Sequence, residues 1–266
     1  MQGLQSGVNG IDSLERMAMG KSPVHRLHPA VKLSTTIAYI LTVLSFPSRD
    51  ISGLMAFIFY PAIVMPLAGV PYRSLFGRLA LALPFSVFGG VSNLFLLRDA
   101  AFTLGTFTVT FGMLSFVSIM QKTLFSVLSV LILAATTPFA DITRQLTSVG
   151  MPNIICLQFV MTYRYLSSLI SETYAMFTAY TLRSPNARMI KMKDMGSFLG
   201  QLVLRSFDRA ERVYQAMKCR GFQGTYRGRG DFVFHSMDLA YSAVFLSALS
   251  ALRFFNLSLF FGGLVK

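Results

Sequence analysis

Tryptophan is absent, cysteine occurs only twice, and the chain carries 11 acidic residues against 24 basic ones. Each shortage excludes something. Without tryptophan, an interfacial aromatic belt must use tyrosine, which leaves phenylalanine for the lipid face. Cys156 and Cys219 are too few and too poorly placed for a disulfide framework. No Ser/His/Asp, Cys/His or paired-carboxylate arrangement is present, so the chain is not expected to be an enzyme. A Walker A pattern is missing too, and Gly224 to Gly230 lacks the Gly-Lys-Ser/Thr of a phosphate cradle and reads as a loop. His25 and His28 invite a metal reading because imidazole suits cobalt and nickel. They stand beside no cysteine or carboxylate pair, and Pro29 breaks the local geometry, so no metal site is expected. The N-terminus opens on a polar stretch without an early apolar core, which argues against a cleaved signal peptide.

What is present is apolar. The 266 residues are 53% hydrophobic and 13% charged, with a mean hydropathy of +0.57. A soluble domain of this size needs far more polar surface, so the chain is expected to be an integral membrane protein. Its formal charge of +13 is then concentrated on the few positions outside the bilayer. Basic residues beside spans mark the cytoplasmic face, though they also suit anionic lipid or nucleic acid.

Residues 1–29 are polar. Leu33 to Phe46, starting as early as Ala30, reads as a first span; Pro47-Ser48-Arg49-Asp50 is a turn; Ile51 to Val70 is a second span. Pro71 to Arg78 reads as a basic loop, and Leu79 to Leu97 as a third span interrupted by Pro84 and Gly89-Gly90. Ala101 to Phe139 admits two crossings or one. Lys21, Arg26, Lys32, Arg73 and Arg78 place the N-terminus and second loop inside, so a single crossing keeps the later basic tract inside as well. Thr103, Thr106, Thr108 and Thr110 alternate as extended backbone does. We therefore read 98–111 as an external loop and 112–139 as one long helix, with Lys122 at membrane depth in a structural role. Ile142 to Val149 is a short polar helix ending at Gly150, Ile154 to Arg183 a helix lying partly in the interface, and Ser184 to Met195 a basic connector. Gly196 to Arg220 is amphipathic, and Leu239 to Phe261 is the last span.

The expected fold is all-α and polytopic, with about five transmembrane helices (four to six as the range) and long amphipathic cytoplasmic helices. Its expected divisions are a cytoplasmic segment 1–29, transmembrane helices 1–4 over 30–139, cytoplasmic helices over 140–235, and a last transmembrane helix over 236–266.

The tract 183–230 holds eleven basic residues against Asp194, Asp208 and Glu211, which leaves +8 of the chain's +13 here. On the amphipathic helix Arg205, Arg209 and Arg212 share one face, with Asp208 and Glu211 as local pairs, while Leu199, Val203, Ser206, Ala210, Val213 and Met217 share another. Two further arginines stand at helix stops. Pro185 restricts Ser184 and should end a helix near Arg183. Gly221 can take the left-handed conformation that closes a helix just after Arg220. A cation in the last turn suits the helix dipole and reaches beyond the tip. On spacing alone, two ordinary solvated arginines fit as well.

The run Ser206-Phe207-Asp208-Arg209-Ala210-Glu211-Arg212-Val213-Tyr214-Gln215-Ala216-Met217-Lys218-Cys219-Arg220-Gly221-Phe222 resembles the second coupling-helix motif of the EcfT family, the transmembrane coupling subunits of energy-coupling-factor ABC transporters. Thr181-Leu182-Arg183-Ser184 is similar to the first. Asp12-Ser13-Leu14 and Ser22-Pro23-Val24-His25-Arg26-Leu27-His28-Pro29-Ala30-Val31-Lys32 resemble the opening of the cobalt-type CbiQ members, and Thr136-Thr137-Pro138 and Gly150-Met151-Pro152 also fit. The family's short motifs run Ala-Arg-Ser or Ala-Arg-Gly, whereas Leu182 and Cys219 stand in place of the alanines here.

The resemblance implies a non-catalytic transmembrane component in the plasma membrane. It implies two ABC-type ATPase partners that hold the ATP, a substrate-binding membrane subunit, a small accessory membrane subunit as a further candidate, and no cofactor on this chain. Arg183, Ser184, Arg220 and Gly221 would couple to grooves on the ATPases, supported by Arg205, Arg209, Glu211, Arg212 and Met217. Cobalt is the implied substrate, with nickel or a vitamin as alternatives. A basic membrane protein that binds anionic lipid is the rival reading, and nucleic acid is not expected as a partner.

Overall fold

The computed structural model describes residues 15, 17–20, 22–47, 51–96, 100–104, 107–184, 189–224 and 234–254. Asp12-Ser13-Leu14, Lys21, the Ser48-Arg49-Asp50 turn, Leu97, Pro185, Arg188, the Gly/Arg-rich run after Gly224 and the last span beyond Phe254 lie outside the described residues. The elements are α1 (Pro23–Arg26), α2 (Pro29–Leu44), α3 (Ile51–Met55), a 3-10 turn (Ala56–Ile58), α4 (Phe59–Ala68), α5 (Tyr72–Leu79) and α6 (Leu83–Leu96). A hairpin of β1 (Ala100–Leu104) and β2 (Phe107–Thr110) follows, then α7 (Phe111–Thr136), α8 (Phe139–Ser148), α9 (Asn153–Arg183), α10 (Met192–Cys219) and α11 (Ser236–Phe254). The described residues fall into two units, one from 13–142 and 232–266, the other from 143–231.

In the first unit, α7 is the central helix, packing against α6, α2 and α4, while α11 packs on α2. One core cluster joins Val64, Met65, Leu75 and Leu79 to Leu128 and Ile132; a second joins Tyr39, Val43 and Phe57 to Phe125 and Leu249. Small hydroxyl residues also lie inside, among them Ser86, Ser115, Ser118 and Ser129, while Phe85 and Phe88 on α6 are 86% and 84% exposed. Small polar residues between helices and large apolar ones outside is the reverse of a soluble fold; this is the packing of a membrane protein. Two described helices have the length and apolarity to cross a bilayer unaided, Phe111–Thr136 and Asn153–Arg183. The apolar helices Pro29–Leu44, Gly53–Ala68 and Leu83–Phe95 are shorter.

The single-helix reading of 112–139 matches α7, which runs unbroken over 26 residues. The threonine alternation before it forms the antiparallel hairpin, with Thr103 opposite Thr108 and a bulge between Ala100 and Phe102. The second span is less regular than its uniform hydrophobicity implies. Pro61 has no N–H to give the carbonyl of Phe57 four residues back, and the buried Tyr39 hydroxyl donates to that oxygen instead, at 2.8 Å. The loop expected over 71–78 is the helix α5, because Leu75 and Leu79 fall on one face and are both buried. Pro84 starts α6 rather than interrupting it. Gly90 lets α6 and α7 approach, since a Cβ there would stand 2.6 Å from the Phe116 ring.

Lys122 has the structural role its depth implied. Its ammonium donates to the carbonyls of Phe46 (2.5 Å) and Leu44 (3.4 Å), where α2 ends. Arg253 donates to Ser45 O and Oγ and lies over the Phe46 ring with its guanidinium carbon 4.5 Å from the centroid. Two cations thus satisfy the orphan carbonyls at the negative end of one helix. Lys122→Met should destabilise the purified protein by about 1 kcal/mol, the scale of interhelical hydrogen bonds inside membranes. The midpoint of detergent-induced unfolding should fall accordingly, with Lys122→Arg close to wild type.

Candidate functional site

The second unit is built on two long helices with almost nothing buried: among described residues, Cys156 is the one buried position on α9, and α10 has none. Polar side chains hold them together. Glu172 of α9 faces Arg205 at 3.6 Å and Arg209 at 3.5 Å, and Arg209 also donates to the Ser168 hydroxyl. Further along, the Tyr180 hydroxyl accepts from Lys191 N–H at 3.3 Å and donates to Asp194 Oδ2 at 2.8 Å. It thereby caps α10, which begins at Met192, four residues ahead of the expected Gly196. Asp194 in the first turn meets the positive end of the helix dipole. Since residue 180 pairs with 194 while 172 pairs with 205 and 209, the two helices run antiparallel.

Each predicted stop is present. α9 ends at Arg183, and Ser184 caps it by donating its N–H to Tyr180 O (3.0 Å) and Thr181 O (3.3 Å). The Ser184 backbone, at φ −127° and ψ 77°, is outside the helical region, as a residue before proline should be. α10 ends at Cys219 with Arg220 as its cap. Gly221 takes φ +78°, its N–H donates to Lys218 O at 2.9 Å, and the Phe222 N–H donates to Met217 O at 3.0 Å. Those two bonds are the Schellman closure, and Met217 contributes through its carbonyl.

Arg183 and Arg220 are both exposed. Arg183 opens onto a cleft of about 610 Å³ shared with Tyr180, Asp194, Gln201 and Arg205. Asp194 and Arg220 are 26 residues apart on one helix, so the cleft and the second arginine are separated by about 40 Å. Glu211 and Arg212 stand exposed on α10. The expected local pairing of Arg205 and Arg209 with Asp208 and Glu211 gives way to Glu172 of the neighbouring helix. Its signal was available: Glu172 is the one carboxylate in 153–183, and a lone acid on an apolar helix needs a cation. Tyr180 gave no such signal.

Gly221→Ala should fray the last turn of α10, because the left-handed conformation costs an L-residue about 1 kcal/mol. Open space surrounds the glycine, so the effect is one of backbone alone. Amide exchange at Met217 to Phe222 should quicken while the rest of α10 keeps its protection.

A family model described as cobalt transport protein, CbiQ, matches residues 20–232. The energy-coupling factor transporter transmembrane protein EcfT of Bacillus selenitireducens is 28% identical over 262 residues, covering 88% of this chain and 94% of that one. The cobalt transport protein CbiQ of Rhodobacter capsulatus is 32% identical over 96 residues, 36% of this chain and 39% of its own. The nickel permease LarQ of Lactiplantibacillus plantarum is 31% identical over 93 residues, 34% of this chain and a third (33%) of its own length.

Proposed function

Since this chain belongs to the cobalt transport protein family, CbiQ, we propose that it is the transmembrane component of an energy-coupling-factor importer. It couples ATP hydrolysis by two partner ATPases to uptake through a substrate-binding membrane subunit. The observation that carries this reading is the pair of helix-end arginines. Arg183 and Arg220 are exposed, each is fixed by a closed helix terminus, and they serve two separate places along α10. A guanidinium held this way presents a bidentate fork to a carboxylate, in a charge-assisted bond of about 1.5–3 kcal/mol. Two such anchors pass a closing motion between ATPases into the helices as rigid-body movement. The chain itself needs no catalytic group for that role.

The rival, a basic surface for anionic lipid, is less well supported. Arg205 and Arg209 are engaged with Glu172, so the middle of the basic face is partly neutralised while its two ends are not. In the proposed topology α2, the 51–68 stretch, α6, α7 and α11 span the plasma membrane, the N-terminus is inside, and 140–235 is cytoplasmic. The long α9 lies against the inner interface rather than crossing. Cobalt or nickel is the proposed substrate, as the names of the relatives suggest.

Arg183→Glu or Arg220→Glu should each abolish co-purification with the ATPase subunits, or uptake with hydrolysis retained. The triple change of the exposed Lys191, Lys193 and Lys218 to Gln removes as much charge without touching the Glu172 pairs, and should leave the ATPases bound. Wild-type assembly and uptake in both charge reversals would defeat the proposal, and an effect that tracks total charge would favour lipid. The topology has its own test. Cys219 is an exposed thiol and Cys156 a buried one. A membrane-impermeant maleimide should label Cys219 in inverted vesicles and not in intact cells.

A further inference from the structure

One carboxylate and one ammonium, both buried, join three helix ends in the first unit. Asp238 is 2% exposed, His28 6% and Lys32 5%. Asp238 stands at the third position of α11, and its Oδ2 accepts the N–H of His235, the N-cap of that helix, at 2.9 Å. Its Oδ1 accepts the N–H of His28, the N-cap of α2, at 2.8 Å. A single anion therefore meets the positive ends of two helix dipoles. The His28 ring accepts from Ala30 N–H at 3.1 Å and stacks on Phe234 with centroids 3.9 Å apart. One turn into α2, the Lys32 ammonium donates to Thr136 O at 2.8 Å, at the negative end of α7, and to His25 O at 3.4 Å.

The placement along the chain gives this cluster its consequence. The chain passes into the second unit after residue 142, six residues beyond Thr136, and is back in the first by Phe234, four residues before Asp238. Both passages are tied, one by Lys32 and one by His28 and Asp238, to the first turn of α2. We propose that Lys32 and Asp238 are positioning residues that form a buried latch. Through it, movement of the coupling helices enters the membrane bundle at the foot of α2, instead of being lost in two independent connectors. This rests on the coupling role proposed above. Lysine suits the α7 end because an ammonium on a four-carbon stem reaches a carbonyl from the next helix, and aspartate suits the other end because it accepts on both oxygens.

The experiment has two arms. In the first, amide exchange is measured on the purified chain in nanodiscs, which needs no ATPase. Asp238→Asn, which loses one acceptor oxygen and the charge, should raise exchange about tenfold at both His28 and His235, while α9 and α10 stay unchanged. An effect at His235 alone would show a local cap and overturn the latch. In the second arm the complete transporter is reconstituted in proteoliposomes, and substrate taken up is divided by ATP hydrolysed. Asp238→Asn and Lys32→Met should still bind the ATPases and hydrolyse ATP, with that ratio about tenfold lower, and Lys32→Arg should restore it. An unchanged ratio overturns the proposal. So does loss of assembly shared by Lys32→Arg, which would mark the cluster as folding support only. A wild-type chain that binds no ATPase would remove the coupling reading, and the latch's role with it, while the exchange arm still reports whether the tie exists.

Discussion

Burying a charge in a membrane bundle is tolerable only where a partner is in place, and the partners this bundle offers are the ends of its own helices. Backbone groups in the middle of a helix are already used; the first N–H groups and last C=O groups are not. Four charged side chains of the first unit follow that constraint. Lys32 goes to a carbonyl in the last turn of α7, Lys122 and Arg253 to carbonyls where α2 ends, and Asp238 to the N-cap amides of α2 and α11. Cations sit at C-terminal ends and the anion at N-terminal ends, in accord with the helix dipole in every case. The same side chains that would be liabilities in lipid fix the register of α2 against its two neighbours, α7 and α11.

The second unit is held on different terms. With no buried residue on α10, apolar packing contributes little, and the helices meet through Glu172, Ser168, Tyr180 and Asp194. Phe207, Leu204, Val203 and Leu199 remain exposed along α10. This amphipathic helix leaves its apolar stripe open and ends on an exposed arginine cap, so it is not organised around a core of its own.

What the sequence made legible was local. Gly221 and Pro185 announce the two helix stops within a few residues, and the threonine alternation marks the extended stretch ahead of the single helix α7. The latch was illegible because its partners are remote: His28 and Asp238 are 210 residues apart, Lys32 and Thr136 are 104, and no short pattern links them. His28 was weighed as a metal ligand and set aside, yet the group that matters most is its backbone N–H, which no side-chain motif reveals. The basic face of α10 was misjudged for a related reason. Asp208 and Glu211 are near Arg205 and Arg209 in sequence, but Glu172 is near them in space, across the α9–α10 pair. Likewise α5 reads as a basic loop until the burial of Leu75 and Leu79 is seen, because eight residues are too few for a period to stand out.

The substitutions beside the two arginines now have a physical reading. Leu182 and Cys219 stand in place of the alanines of the motifs they resemble, and leucine is the bulkier replacement. Leu182 is 78% exposed and Cys219 is exposed as well, so neither is packed within its own helix pair. Their bulk therefore cannot disturb the closure at Ser184 or at Gly221, which is made by backbone groups alone. Whatever these two side chains change, they change at the exposed surface. In the proposed role, a groove receiving Arg183 would also have to accommodate a leucine beside it, whereas a groove for Arg220 would need only to admit a thiol. If the proposed coupling role holds, the two arginines would be chemically equivalent anchors in unequal settings, and that inequality would give two docking grooves a means to be told apart.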